Sequence, residues 1–130
     1  MRFFLIALLT SFTALADECT IGNNLYNLEI ANTPEQRKIG LMNRKSMPED
    51  NGMMFIWPQA DLRAMWMKNT YIPLDMLFIK DDTVIGVIEN TIPHDLTPRY
   101  IEKPVNKIIE LNAGQVQKNN IAIGDAVKCN

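Results

Sequence analysis

Residues 74–79 are apolar at every position but one, Asp75. A short run of this kind, bounded by turn residues, predicts a strand buried on both faces. Lys80-Asp81-Asp82-Thr83 then reads as a hairpin-like connection into a second apolar strand at 84–89. Residues 25–31 alternate instead. Leu25, Asn27 and Glu29 fall on one face and Tyr26, Leu28 and Ile30 on the other, which predicts a half-exposed strand. Residues 53–57 form another apolar strand, stopped by Pro58, and residues 107–111 a further one. Thr33-Pro34-Glu35-Gln36 carries a helix start: Thr33 as cap, Pro34 at the first helical position, Gln36 able to reach back. That helix is expected to run to about Met42, with Ile39 and Met42 as its inner stripe. Residues 112–119 open a short second helix, and 126–129 close the chain.

Between these elements lies Met65-Trp66-Met67-Lys68-Asn69-Thr70-Tyr71-Ile72-Pro73-Leu74-Asp75. Residues two apart on an extended chain share a face, so Met65 and Met67 point one way and Trp66 and Lys68 the other. Asp75 shares a face with Leu77 and Ile79 and is expected to be poorly solvated, so it needs a partner. Lys68, Asn69 and Thr70 are the nearest candidates by sequence. Two readings stand side by side. Asp75 pins a turn structurally, or it belongs to a ligand-facing polar cluster. A long stretch, 90–104, holds Pro93, Pro98 and Pro104 with His94, Asp95, Arg99 and Tyr100, and loops of this length are often functional. Several short strands with one or two short helices point to a mostly β or α+β class, as a small barrel-like domain.

The start of the chain changes the picture of where this domain works. Arg2, the apolar run 3–9 and Ala14-Leu15-Ala16 form a secretory signal over residues 1–16. The apolar run is too short to serve as a lasting membrane anchor. Cleavage leaves 114 of the 130 residues, one domain large enough for a core. It removes Arg2 and no acid, so the formal charge of −2 becomes −3. Such a balance gives no general electrostatic case for nucleic acid. Cys19 and Cys129 then stand near the two ends, and in an oxidising compartment two cysteines are expected to pair. The expected location is periplasmic or secreted.

Trp66-Met67-Lys68-Asn69-Thr70, Ile72-Pro73-Leu74-Asp75, Gly40-Leu41-Met42 with Arg44, and Glu110-Leu111-Asn112-Ala113-Gly114 resemble the domain-of-unknown-function 192 family, over about residues 28–127. The resemblance implies a small β-rich, barrel-like domain, often exported in bacteria, and no established activity. Many relatives carry cysteines in the loop after the strand matching residues 84–90. This chain has His94 and Asp95 there instead.

Candidate chemistry is therefore weighed residue by residue. Asp75, Glu89 and Glu110 each end a strand on an apolar face, and three carboxylates converging at a barrel mouth would suit a small carboxylate-dependent hydrolase. Met65 and Met67, about 6.6 Å apart on one strand face, with His94 as the sole histidine, would suit a copper site, although methionine is also ordinary core filler. One histidine and no Gly-x-Ser-x-Gly elbow leave no nucleophilic triad. No phosphate-binding glycine loop is present. The reading preferred is an exported accessory or binding domain with no cofactor. Its candidate ligand site comprises Arg37, Arg44, Lys68, Asn69, Thr70, Asp75, Glu89, His94 and Glu110. Its partner would be a small polar ligand or another envelope protein.

Overall fold

The structure, a computed structural model, describes residue 3 and residues 15–130. The secretory signal expected at residues 1–16 falls almost wholly outside the described residues. Among the described residues seven strands form a single sheet: β1 (Ala16–Ile21), β2 (Asn24–Ala31), β3 (Asn51–Asp61), β4 (Leu74–Lys80), β5 (Thr83–Ile88), β6 (Val105–Asn112) and β7 (Val127–Cys129). Their order across the sheet is β5-β4-β6-β3-β2-β1-β7. Every neighbouring pair is antiparallel except β2–β3, whose crossover contains the helix α1 (Pro34–Ile39). The second helix, α2 (Gln115–Lys118), follows β6.

The sheet curls until its two edges meet at one end. Val84 N donates to Asp125 O at 2.9 Å and Val127 N to Asp82 O at 2.8 Å. This partial closure removes free strand edges there. It makes the fold a mostly β, partly closed barrel with two short helices, as the pattern predicts. Cys19 and Cys129 face each other in the β1–β7 register, Cα atoms 4.0 Å apart, and form a disulfide.

At β4 both faces of the sheet are dry, which explains its unbroken apolar run. The inner face packs Tyr26, Leu28, Leu77, Ile79, Ile109 and Leu111 with Val116 of α2 and Ile121. The outer face of β3, β6 and β4 packs Phe55, Met76, Phe78 and Ile108 under Leu41, Met67 and Ile72. Segments 62–73 and 90–104 form that outer cover. They run antiparallel through a Met65–Arg99 bridge, and Met67 N donates to Asp95 O at 2.9 Å.

Four expectations are corrected. β3 does not stop at Pro58 but continues to Asp61, with a register break between Ile56 and Asp61. A proline, which has no N–H to donate, is tolerated at such a break. The first helix has its Thr33–Gln36 capping box, but it ends at Ile39 and not at Met42. Gly40 turns the chain at φ 48°, and a Cβ there would sit 3.1 Å from the Phe55 ring. Ile39 is consequently exposed and Leu41 takes the inward position. Residues 65–68 keep strand-like alternation, with Met67 buried and Trp66 and Lys68 exposed, yet they join no ladder beyond the one bridge. β1 is not anticipated from the pattern, since beside Asp17 and Glu18 only Cys19 and Ile21 alternate as buried apolar positions.

Candidate functional site

Asp75 is fully buried on the inner face with Leu77 and Ile79, and its partners are not those expected. Its Oδ1 accepts from Asn90 N at 2.9 Å, and its Oδ2 from Gly114 N and Val116 N at 3.0 Å each. The carboxylate therefore ties α2 and the start of segment 90–104 to β4. Neither Lys68, Asn69 nor Thr70 reaches it. Three backbone donors satisfy the buried carboxyl, and this is a structural role.

The three carboxylates do not converge. Asp75 lies opposite Leu111 in the β4–β6 ladder, and Glu110 lies opposite Met76, so the two carboxyls project to opposite faces of the sheet. Glu89 is exposed just beyond β5. A hydrolase built on paired carboxylates has no geometric basis here.

Other candidates separate in the same way. Arg44 forms a bidentate ion pair with Glu29 of β2, which raises the guanidinium pKa. His94 is exposed, sits at φ 65° and stands edge-on to Tyr71 with centroids 4.5 Å apart. Met67 is buried, and Thr91 Oγ1 lies 3.2 Å from its sulfur. That surrounds the thioether with core and a hydroxyl, not with further metal ligands.

What the fold does assemble is a groove around Trp66. Its floor is a small cleft of about 30 Å³ lined by Arg37, Lys38, Ile39, Phe55, Met65, Trp66, Thr70 and Glu110, among others. A broader part of about 410 Å³ shares Lys38, Ile39, Met42 and Trp66 and adds Glu35, Lys68 and Asn69. The walls come from α1 on one side and segment 62–73 on the other. Asn69, at φ 51°, accepts through its carbonyl from Asn43 N at 2.8 Å, which fastens the two walls together. Thr70 Oγ1 donates to Lys68 O at 2.9 Å and fixes the turn. Lys68 Nζ lies 5.2 Å from the centre of the Trp66 ring. Arg37 donates to Ile56 O at 2.9 Å and covers Trp57, so its charge is held on the wall of β3.

Glu110 is the anomaly of this groove. It is 3% exposed, and no hydrogen bond from any described residue reaches its carboxyl. Burial alone raises its pKa from 4.5 to about 8, so at neutral pH it is an uncharged acid with an O–H to donate. Of the residues predicted from sequence, Arg37, Lys68, Asn69, Thr70 and Glu110 thus meet around Trp66, while Arg44, Asp75, Glu89 and His94 do not. Trp66 itself, 48% exposed at the centre of the groove, is missed as a site residue. Its signal was its phase: a tryptophan on the outward face of an extended segment whose inward face is apolar.

A second cleft of about 370 Å³ lies between Tyr26, Glu49, Asp50, Gln115, Lys118 and Asn119. Most of its polar side chains bond to one another. Tyr26 OH donates to Gln115 Oε1 at 2.9 Å and accepts from Asn119 at 2.6 Å, and Glu49 takes Gln115 and Lys118. This is a cross-link between β2 and α2.

Comparison with known proteins returns a family and no activity. The DUF192 family model, described as "Uncharacterized ACR", matches residues 18–129. No curated protein matches. A Sinorhizobium meliloti 1021 protein, solved at 1.55 Å and named only provisionally as a transcription regulator, is similar to this chain with a TM-score of 0.88 and 35% identity. The match covers 92% of this chain and 97% of that one. A protein of unknown function from Novosphingobium aromaticivorans, solved at 1.22 Å, is similar with a TM-score of 0.82 and 28% identity, over 95% of this chain and 91% of that one.

Proposed function

The chain belongs to the DUF192 family, which carries no established activity, and we propose from its own groove that it is an exported cell-envelope binding domain for a small ligand. The observation that carries this reading is Glu110. A native fold rarely sinks a carboxyl this deep with no protein partner, because desolvating it costs several kcal/mol, on the order of 2–7, when no hydrogen bond compensates. Its oxygens keep an edge on the cleft: the fully enclosed unpartnered atoms among the described residues are Arg63 Nε, Arg99 Nε and Asn106 Oδ1. Here the acid lies beside an open cleft under an exposed tryptophan, where an incoming group would complete it. An apolar floor with a few convergent polar groups is the usual composition of a small-molecule site.

Export is supported by the leader pattern of residues 1–16 and by the terminal disulfide, which persists in an oxidising compartment. The transcription-regulator name of the S. meliloti protein is not carried over, since a net charge of −2 offers no general attraction to a polyanion.

The test is a thermal-shift screen of small metabolites on the mature chain, run beside Trp66→Ala and Glu110→Leu variants. A ligand of the groove raises the melting temperature of the wild type by mass action and fails to protect either variant. Protection that survives both substitutions would place binding elsewhere and end the reading. Fractionation of the native host with mass spectrometry should find the protein outside the cytoplasm, beginning at Asp17.

A further inference from the structure

The polar groups that line the Trp66 groove are mostly donors, and this restricts what can sit there. Lys38 and Lys68 stand at the rim of its broad part, and no salt bridge among the described residues involves either. Glu110 at the floor has no hydrogen-bond partner among the described residues. Thr70 has spent its hydroxyl proton on Lys68 O, and Arg37 is held by Ile56 O. The one carboxylate on the rim is Glu35. Between rim and floor the walls are Ile39, Met42 and Trp66.

Resting on the binding role just proposed, we infer that the groove takes an amphipathic carboxylate, its apolar body against Trp66 and its acceptor oxygens on Glu110 and the two rim lysines. Two geometries satisfy this chemistry. A free aromatic or aliphatic acid offers that carboxylate at the end of a short apolar body. A peptide ending in an apolar residue would offer the same group at its C-terminus. A cationic ligand meets two uncompensated lysines at the entrance and an acid that is uncharged at neutral pH. A neutral ligand of the same shape leaves the lysines without an acceptor.

Binding is then expected to weaken as pH rises through about 8, the value to which burial raises Glu110. An ionised Glu110 repels a second carboxylate and has no proton to share. The charged groups facing the cleft with it are Arg37 and Lys38 of α1; β3 contributes Phe55, and segment 62–73 contributes Met65, Trp66 and Thr70, which carry no ionisable group.

Titration of the mature chain, followed by amide and indole NMR, decides the matter with 3-phenylpropanoate, 3-phenylpropylammonium and 3-phenylpropanol at pH 6.5. The expected result is that the carboxylate binds tightest and shifts the Trp66 indole. Lys38→Met with Lys68→Met should weaken it by about tenfold. Glu110→Gln, which keeps a donor but cannot ionise, should abolish the pH dependence of binding. A peptide with a C-terminal phenylalanine, compared free and amidated, separates the two sources. Preference for the free end assigns the groove to chain termini, and equal weakness of both forms beside a tight small acid assigns it to free acids. Tighter binding of the ammonium or the alcohol overturns the carboxylate inference and leaves the groove as a binding site. Absence of any indole shift with all three probes and both peptides overturns both.

Discussion

Glu110→Gln is the substitution that exposes the physics of this fold. The side chain stays the same shape, and only its ability to ionise is removed. In the wild type the carboxyl pKa rises from 4.5 in the unfolded chain to about 8 in the folded one, and burial is the cause. Between those values the folded state holds a proton that the unfolded state has released. Stability contributed by Glu110 is therefore intact below about pH 4.5, falls as pH rises, and stops falling above about pH 8. Each pH unit in that window costs about 1.4 kcal/mol, so by pH 7 the loss is about 3 kcal/mol. Urea unfolding of wild type and variant at half-unit steps from pH 4 to 9 measures it directly. Contributions from other titrating groups cancel in the difference between the two proteins. That difference should run in favour of the variant by about 3 kcal/mol more at pH 7 than at pH 4.5. A difference constant within about 0.5 kcal/mol across the range would mean that Glu110 is solvated or paired in solution, and both functional proposals would lose their footing.

Two further outcomes test the scaffold. Asp75→Asn keeps the shape but turns an NH₂ towards backbone donors, and should cost about 2–4 kcal/mol in urea unfolding. Its effect should be the same with Lys68→Met in place, because the two residues do not meet; a coupling above about 0.5 kcal/mol in the double-mutant cycle would contradict the observed partners. Replacing Cys19 and Cys129 together by alanine opens a loop of 110 residues and should cost about 4–5 kcal/mol on the chain-entropy model. Unchanged stability of that double variant under oxidising conditions would show that the β1–β7 pairing holds the termini without the covalent link.

Much of the fold was legible because its signals are local. The Thr33–Gln36 capping box depends on four consecutive residues, the β4–β5 hairpin on its turn, and the burial of Tyr26, Leu28 and Ile30 on alternation alone. Desolvation of Asp75 also followed from its phase with Leu77 and Ile79. Its partners did not, because Gly114 and Val116 lie 39 and 41 positions away, and proximity in sequence favoured Lys68–Thr70 wrongly. β1 escaped notice for a related reason. Its pairing with β2 and β7 is set by backbone hydrogen bonds across the sheet and by the disulfide, and its own residues carry only the short Cys19–Ile21 alternation. The candidate site divides along the same line. Sequence brought forward Arg37, Lys68, Asn69, Thr70 and Glu110, and with them Arg44, Asp75, Glu89 and His94. Only the register of β6 between β3 and β4, which turns Glu110 to the outer face and Asp75 to the inner one, separates the acid that lines the groove from the acid that ties α2 to the sheet. A residue's phase is written in its neighbours, but the face to which that phase points, and what covers it, is decided by strands distant in the chain.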